Sequence, residues 1–236
     1  MNNQLRAHCV QQQKEFLKCA ENVWGISRPP KELRAKESAL FRSYLAFSCA
    51  CRIFSDDKDI APILASASEA AELSLMLAMK GCGNTPFVIL RQVIELTYKS
   101  IYFCTHPVEL SWASRREPHR EITHQFLLNY FSKTDESRDC ETVRDAILRI
   151  TEIYGRLSAH VHVQNTNFTS FSGKATASKA GKNFFEDTNK LLEQLIILLV
   201  IFDKTCYWGA SASEQSLVIS AIRKPRKNKV LLALSG

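Results

Sequence analysis

Glycine and proline are scarce in this chain, with eight and seven copies among 236 residues. Both residues interrupt helices, and few segments alternate apolar and polar residues as a half-buried strand would. Their scarcity predicts an all-α fold, an up-and-down bundle of about seven helices. Other absences narrow the chemistry. None of the eight cysteines forms a CxxC pair, which argues against a zinc site and for reduced cysteines in a cytoplasmic setting. No glycine-rich phosphate loop and no GxSxG element is present. His119-Arg120-Glu121-Ile122-Thr123-His124 lacks the spacing of HExxH, so no metal or other cofactor is expected. Met1 to Glu15 has no signal-peptide core. The longest apolar run, Leu191 to Phe202, is broken by Glu193 and Gln194 and reads as a buried helix, not a membrane span.

Apolar residues make up 45% of the chain, enough for a sizeable core, and the formal net charge of +7 suits a polyanionic partner. Helical periodicity predicts helices at roughly 3–24, 32–54, 60–80, 85–104, 119–131, 140–160 and 182–208, with a shorter one near 212–222. Thr85-Pro86 forms a sharp helix start, with threonine as cap and proline in the first turn. Pro62 is tolerated in the same way, and Gly81-Cys82-Gly83 is a stop. Residues 107–119, 132–139 and 163–181 read as loops. No linker divides the chain, so residues 1–222 are expected to form one domain. Residues 223–236 read as a tail, first basic and then apolar. Its Arg223, Lys224, Arg226, Lys227 and Lys229 are candidates for contact with nucleic acid, and the plain alternative is a solvated, partly disordered arm. The apolar end of the tail is a candidate contact with the body or a partner protein.

The densest chemical constellation is Tyr154-Gly155-Arg156-Leu157-Ser158-Ala159-His160-Val161-His162. A guanidinium can hold a phosphate bidentately, and an imidazole can move a proton at neutral pH. Together they are the minimum for metal-independent RNA cleavage. On a regular helix Arg156 and His160 share a face, whereas His162 lies about 240° round from Arg156. Gly155 weakens the helix locally, so a break there would let His162 return toward Arg156. Ser158 can orient a phosphate or a histidine. The plain alternative makes these ordinary residues at a helix end. A second constellation is Arg91 and Glu95, spaced to meet on one helix face. They form either a packing ion pair or a support in which Glu95 orients Arg156 or a histidine.

The Leu90-Arg91-Gln92-Val93-Ile94-Glu95-Leu96 segment, followed by the Arg156-to-His162 element, resembles the HEPN superfamily. The likeness covers roughly residues 35–208 and rests on about fifteen positions. It implies a helical bundle, often dimeric, whose arginine and histidine elements meet across the two-fold axis. Active members are metal-independent endoribonucleases that leave a cyclic phosphate, and many serve as toxins or in antiphage defence. By that likeness Arg156 binds phosphate, His162 or His160 carries the acid–base step, and Ser158, Arg91 and Glu95 support them. Two positions depart from the family pattern: Leu157, where many active members have a polar residue, and Gly155. A second reading is a non-catalytic helical subunit of a larger protein or nucleic-acid complex.

Overall fold

The computed structural model describes isolated helical residues between 7 and 18, then residues 34–55, 59–80, 85–115, 122–161, 179–222 and 224–235. Among the described residues eleven helices follow one another: α1 (Arg34–Ile53), α2 (Ala61–Lys80), α3 (Thr85–Thr105), α4 (Pro107–Arg115), α5 (His124–Phe131), α6 (Asp135–Asp139), α7 (Glu141–Val161), α8 (Lys179–Phe202), α9 (Lys204–Gly209), α10 (Ala212–Ser220) and α11 (Lys224–Ser235). No strand occurs among the described residues, so the fold is all-α.

Five long helices close into a ring. α1 packs on α2, α2 on α3, α3 on α7, α7 on α8, and α8 returns to α1. The sequence explains the order of burial. α8 carries Leu191 through Ile201 as a nearly unbroken apolar run, and all of these residues are buried, including Glu193 and Gln194 at 1% exposure each. α2 is rich in alanine and serine, and buried Ala67, Ala71 and Ala78 allow α3 to approach closely. Each fully buried leucine or isoleucine contributes about 1.5–3 kcal/mol relative to leaving it in water. Among the described residues no helix is long and apolar enough to cross a membrane.

Several loop expectations are corrected. Residues 107–115 form α4, because Pro107 fits a first helical position and Leu110 is anchored in the core. Residues 135–139 form the short helix α6, whose Ser137 is buried. The helix expected over 182–208 ends at Phe202, and the Asp203 carboxylate caps α9 by accepting from the backbone N–H of Cys206 at 3.1 Å. Gly155 does not break α7, which runs regularly to Val161.

The tail is helical and not a disordered arm, and its apolar end docks on the body, one of the two contacts expected for it. Residues 224–235 form α11, which packs on α7 and α8 through buried Val230 and Leu234. These two positions are one turn apart, so they make a single apolar stripe under a basic helix. Arg226 donates to Gln194 Oε1 at 2.9 Å and lies 3.9 Å from Glu193, while Lys229 meets Glu141 at 2.9 Å. Part of the basic run therefore binds the protein itself.

Candidate functional site

The site is built on α7, which places Tyr154 and Arg156 about 200° apart around its axis. They consequently serve two different surfaces.

Tyr154 faces α3. Arg91 and Glu95 stand one turn apart there, with side chains 21% and 34% exposed, and their closest charged atoms are 3.6 Å apart. The Tyr154 hydroxyl lies between them. Arg91 Nη2 donates to it at 2.8 Å, and it donates to Glu95 Oε1 at 2.9 Å. The guanidinium carbon is also 4.9 Å from the Tyr154 ring centre, within cation–π reach. Burial pushes the Tyr154 hydroxyl above its ordinary pKa, with Arg91 pulling it down and Glu95 pushing it up.

His124 completes this cluster. The Thr123 hydroxyl caps α5 by accepting from the Phe126 N–H at 3.2 Å, which fixes His124 at the first helical position. Its ring is stacked between two tyrosines, 3.5 Å from the Tyr154 centroid and 5.7 Å from that of Tyr98. Both ring nitrogens are buried without a hydrogen-bond partner, as are Arg91 Nε, the Tyr98 hydroxyl and Ser158 Oγ. Burial, and then the charge of Arg91, pushes His124 down to about 4, so it is neutral at physiological pH. The positive end of α5 acts in the same direction.

Arg156 faces α8 instead. Its Nε and Nη2 donate to the two oxygens of Asp187 at 3.3 and 3.0 Å. This fork-to-carboxylate pair leaves the arginine side chain 51% exposed. His160 occupies the last turn of α7, one helical turn beyond Arg156. His162 and Arg223 lie outside the described residues. Leu157, the departure from the family pattern, is 3% exposed and belongs to the core. An apolar residue is required at that position of α7, whatever Arg156 does.

The expected grouping is thus partly corrected. Arg91 and Glu95 do meet, but neither pairs with Arg156. Glu95 serves Tyr154, and the histidine stacked on Tyr154 is His124, from the stretch whose spacing does not fit HExxH. Asp187 carried no sequence signal, because its partner lies across the segment 162–178. Tyr154 stood inside the singled-out stretch without a role. Among the described residues no three histidine, cysteine, aspartate or glutamate side chains gather closely enough to hold a metal ion. No family model matches this chain, and neither a curated protein nor a solved structure matches it.

Proposed function

We propose that the protein is a metal-independent endoribonuclease of the HEPN kind, working as a homodimer in a toxin or antiphage-defence setting. The observation that carries the proposal is the position of Arg156. Its guanidinium is held in a defined direction by Asp187, is half exposed, and precedes His160 by one turn of a regular helix. An exposed ion pair of this type contributes at most about 1 kcal/mol. A phosphate, which accepts the same two parallel donors, can therefore take the place of the carboxylate at small cost. In this reading Arg156 holds the scissile phosphate. His162, or His160 in its place, takes the proton from the ribose 2′-hydroxyl as that oxygen attacks the phosphorus; the P–O5′ bond breaks, the 5′-oxygen leaves with a proton from the imidazolium, and a 2′,3′-cyclic phosphate remains. Ser158, expected beside them, lies about 200° round α7 from Arg156 and shares the Tyr154 face as a buried hydroxyl, and the Arg91–Tyr154–Glu95 cluster supports α7 from behind.

The test is cleavage of single-stranded RNA by purified protein in the presence of a chelator. Arg156→Ala and His162→Ala are each expected to lower the rate by about 100-fold or more. Cleavage that survives both substitutions overturns the assignment.

One observation favours a second reading, a non-catalytic binding subunit. Trp208 of α9 and Leu232 of α11 are 52% and 71% exposed. They belong to one corner of the fold, since Trp208 Nε1 donates to the carbonyl of Leu234 at 3.4 Å. Exposed apolar groups in one place fit a protein partner better than RNA. That reading predicts no RNA cleavage and a stable complex weakened by Trp208→Ala.

A further inference from the structure

At the other end of the bundle, a cavity of about 100 Å³ opens where the ends of α1, α3 and α8 meet α5 and α6. Cys104 of α3 lines it, roughly 20 Å along that helix from Arg91. One water needs about 10–15 Å³ of such space, so the cavity holds on the order of seven waters or a small organic molecule.

The lining has a consistent chemistry. Phe54, Tyr130, Phe131 and Phe202 contribute aromatic walls. The rings of Tyr130 and Phe131 meet at 81° with centroids 5.2 Å apart, and those of Phe131 and Phe202 at 77° and 5.4 Å. Rings set at right angles to one another turn their electron-rich faces in different directions, and it is the face of a ring that attracts a weakly hydrated cation. Glu136 and Asp203 add two carboxylates, Glu136 exposed and Asp203 half-buried, so they mark the solvent side. Asp203 is fixed in place by its bond to the Cys206 N–H. No lysine, arginine or histidine is among the described lining residues, although the chain as a whole carries +7. A local negative patch on a basic protein selects ligands of the opposite sign.

We propose that this pocket binds a small free organic cation, a quaternary or protonated ammonium group on a short aliphatic chain. The aromatic walls take the alkyl groups around the nitrogen, and Glu136 and Asp203 neutralise its charge. A phospholipid headgroup offers the same ammonium chemistry, so the free compound and the membrane form are tested apart.

The experiment is isothermal titration of the full chain with choline and with 3,3-dimethylbutan-1-ol, which replaces the nitrogen by carbon. Choline is expected to bind about tenfold or more tightly than the neutral isostere. The double variant Glu136→Gln/Asp203→Asn is expected to lose that advantage while still folding, because asparagine caps a helix as well as aspartate. Choline is also expected to slow alkylation of exposed Cys104 by iodoacetamide in the parent chain and not in the double variant. Equal binding of the two probes, no binding of choline, or unprotected Cys104 overturns the proposal. So does sedimentation with phosphatidylcholine vesicles when free choline fails to bind.

Discussion

Two arginines, Arg91 and Arg156, each sit beside a carboxylate, yet they do different work. Arg91 is enclosed between α3, α5 and α7, with its charge shared by Glu95, the Tyr154 hydroxyl and the Tyr154 ring. Arg156 stands on α7, on the side away from Tyr154, and meets Asp187 in partial contact with solvent. The contrast shows that an arginine–acid pair is not a function in itself. Enclosure makes the first pair part of the packing, since removing one partner strands the other. Exposure makes the second pair exchangeable, since water and ions can replace either member.

The first way to break the comparison is to remove the residue that joins α7 to the enclosed pair. Tyr154→Ala deletes the ring stacked on His124 and both hydrogen bonds of its hydroxyl, and is expected to cost about 2–4 kcal/mol in urea unfolding. A cost below about 1 kcal/mol would show that the cluster is not integral to the bundle.

Acid probes the same cluster. With its folded pKa pushed down to about 4, His124 binds a proton more readily in the unfolded chain, whose ordinary value is 6.5. Its contribution to stability is therefore complete above about pH 6.5 and declines as pH falls toward 4. For a half-buried ring the loss is about 2 kcal/mol at most. His124→Phe is expected to keep the stacking and flatten that part of the stability–pH curve relative to the parent. Two parallel curves would remove His124 from the account.

Single hydroxyls sharpen it further. Tyr154→Phe removes a hydroxyl with two partners and is expected to cost about 1–2 kcal/mol. Tyr98→Phe removes a hydroxyl that is buried with no partner, and is expected to be neutral or to stabilise by up to about 1 kcal/mol. The two midpoints should move in opposite directions, or only the first should move.

The smallest effect on stability belongs to the exposed side. Arg156→Ala and Asp187→Ala should each change unfolding free energy by less than about 1 kcal/mol. On the proposed function they separate in RNA binding, measured by fluorescence anisotropy: Arg156→Ala weakens it, and Asp187→Ala, which frees the guanidinium, strengthens it.

The long helices were legible because their apolar residues recur with helical spacing, and the Thr85-Pro86 start of α3 was plain from capping chemistry alone. The meeting of Arg91 with Glu95 was legible for the same local reason. What lay between them was not. Tyr154 is 63 residues from Arg91, and such a contact follows only from the packing of α7 on α3. Helical geometry does fix one part of it: Arg156, two positions from Tyr154, must face elsewhere, so Glu95 cannot serve both. α4 and α11 were hidden by the proline near each start and, in α11, by a dense run of charge that masked the Val230–Leu234 stripe.

The docking of α11 also has a consequence in time. Glu193, at 1% exposure, has the Arg226 guanidinium among its neighbours, and adjacent Gln194 receives a hydrogen bond from that same group across 32 residues of sequence. At synthesis rates of about 5–20 residues per second, Gln194 precedes Arg226 by roughly 2–6 s. Through that interval α8, with its buried run from Leu191 to Ile201, carries an acid whose later partner has not yet been made. The bundle can close around α8 with this contact in place only once α11 has been made, so this contact joins later than the packing of α1, α2, α3, α7 and α8 on one another.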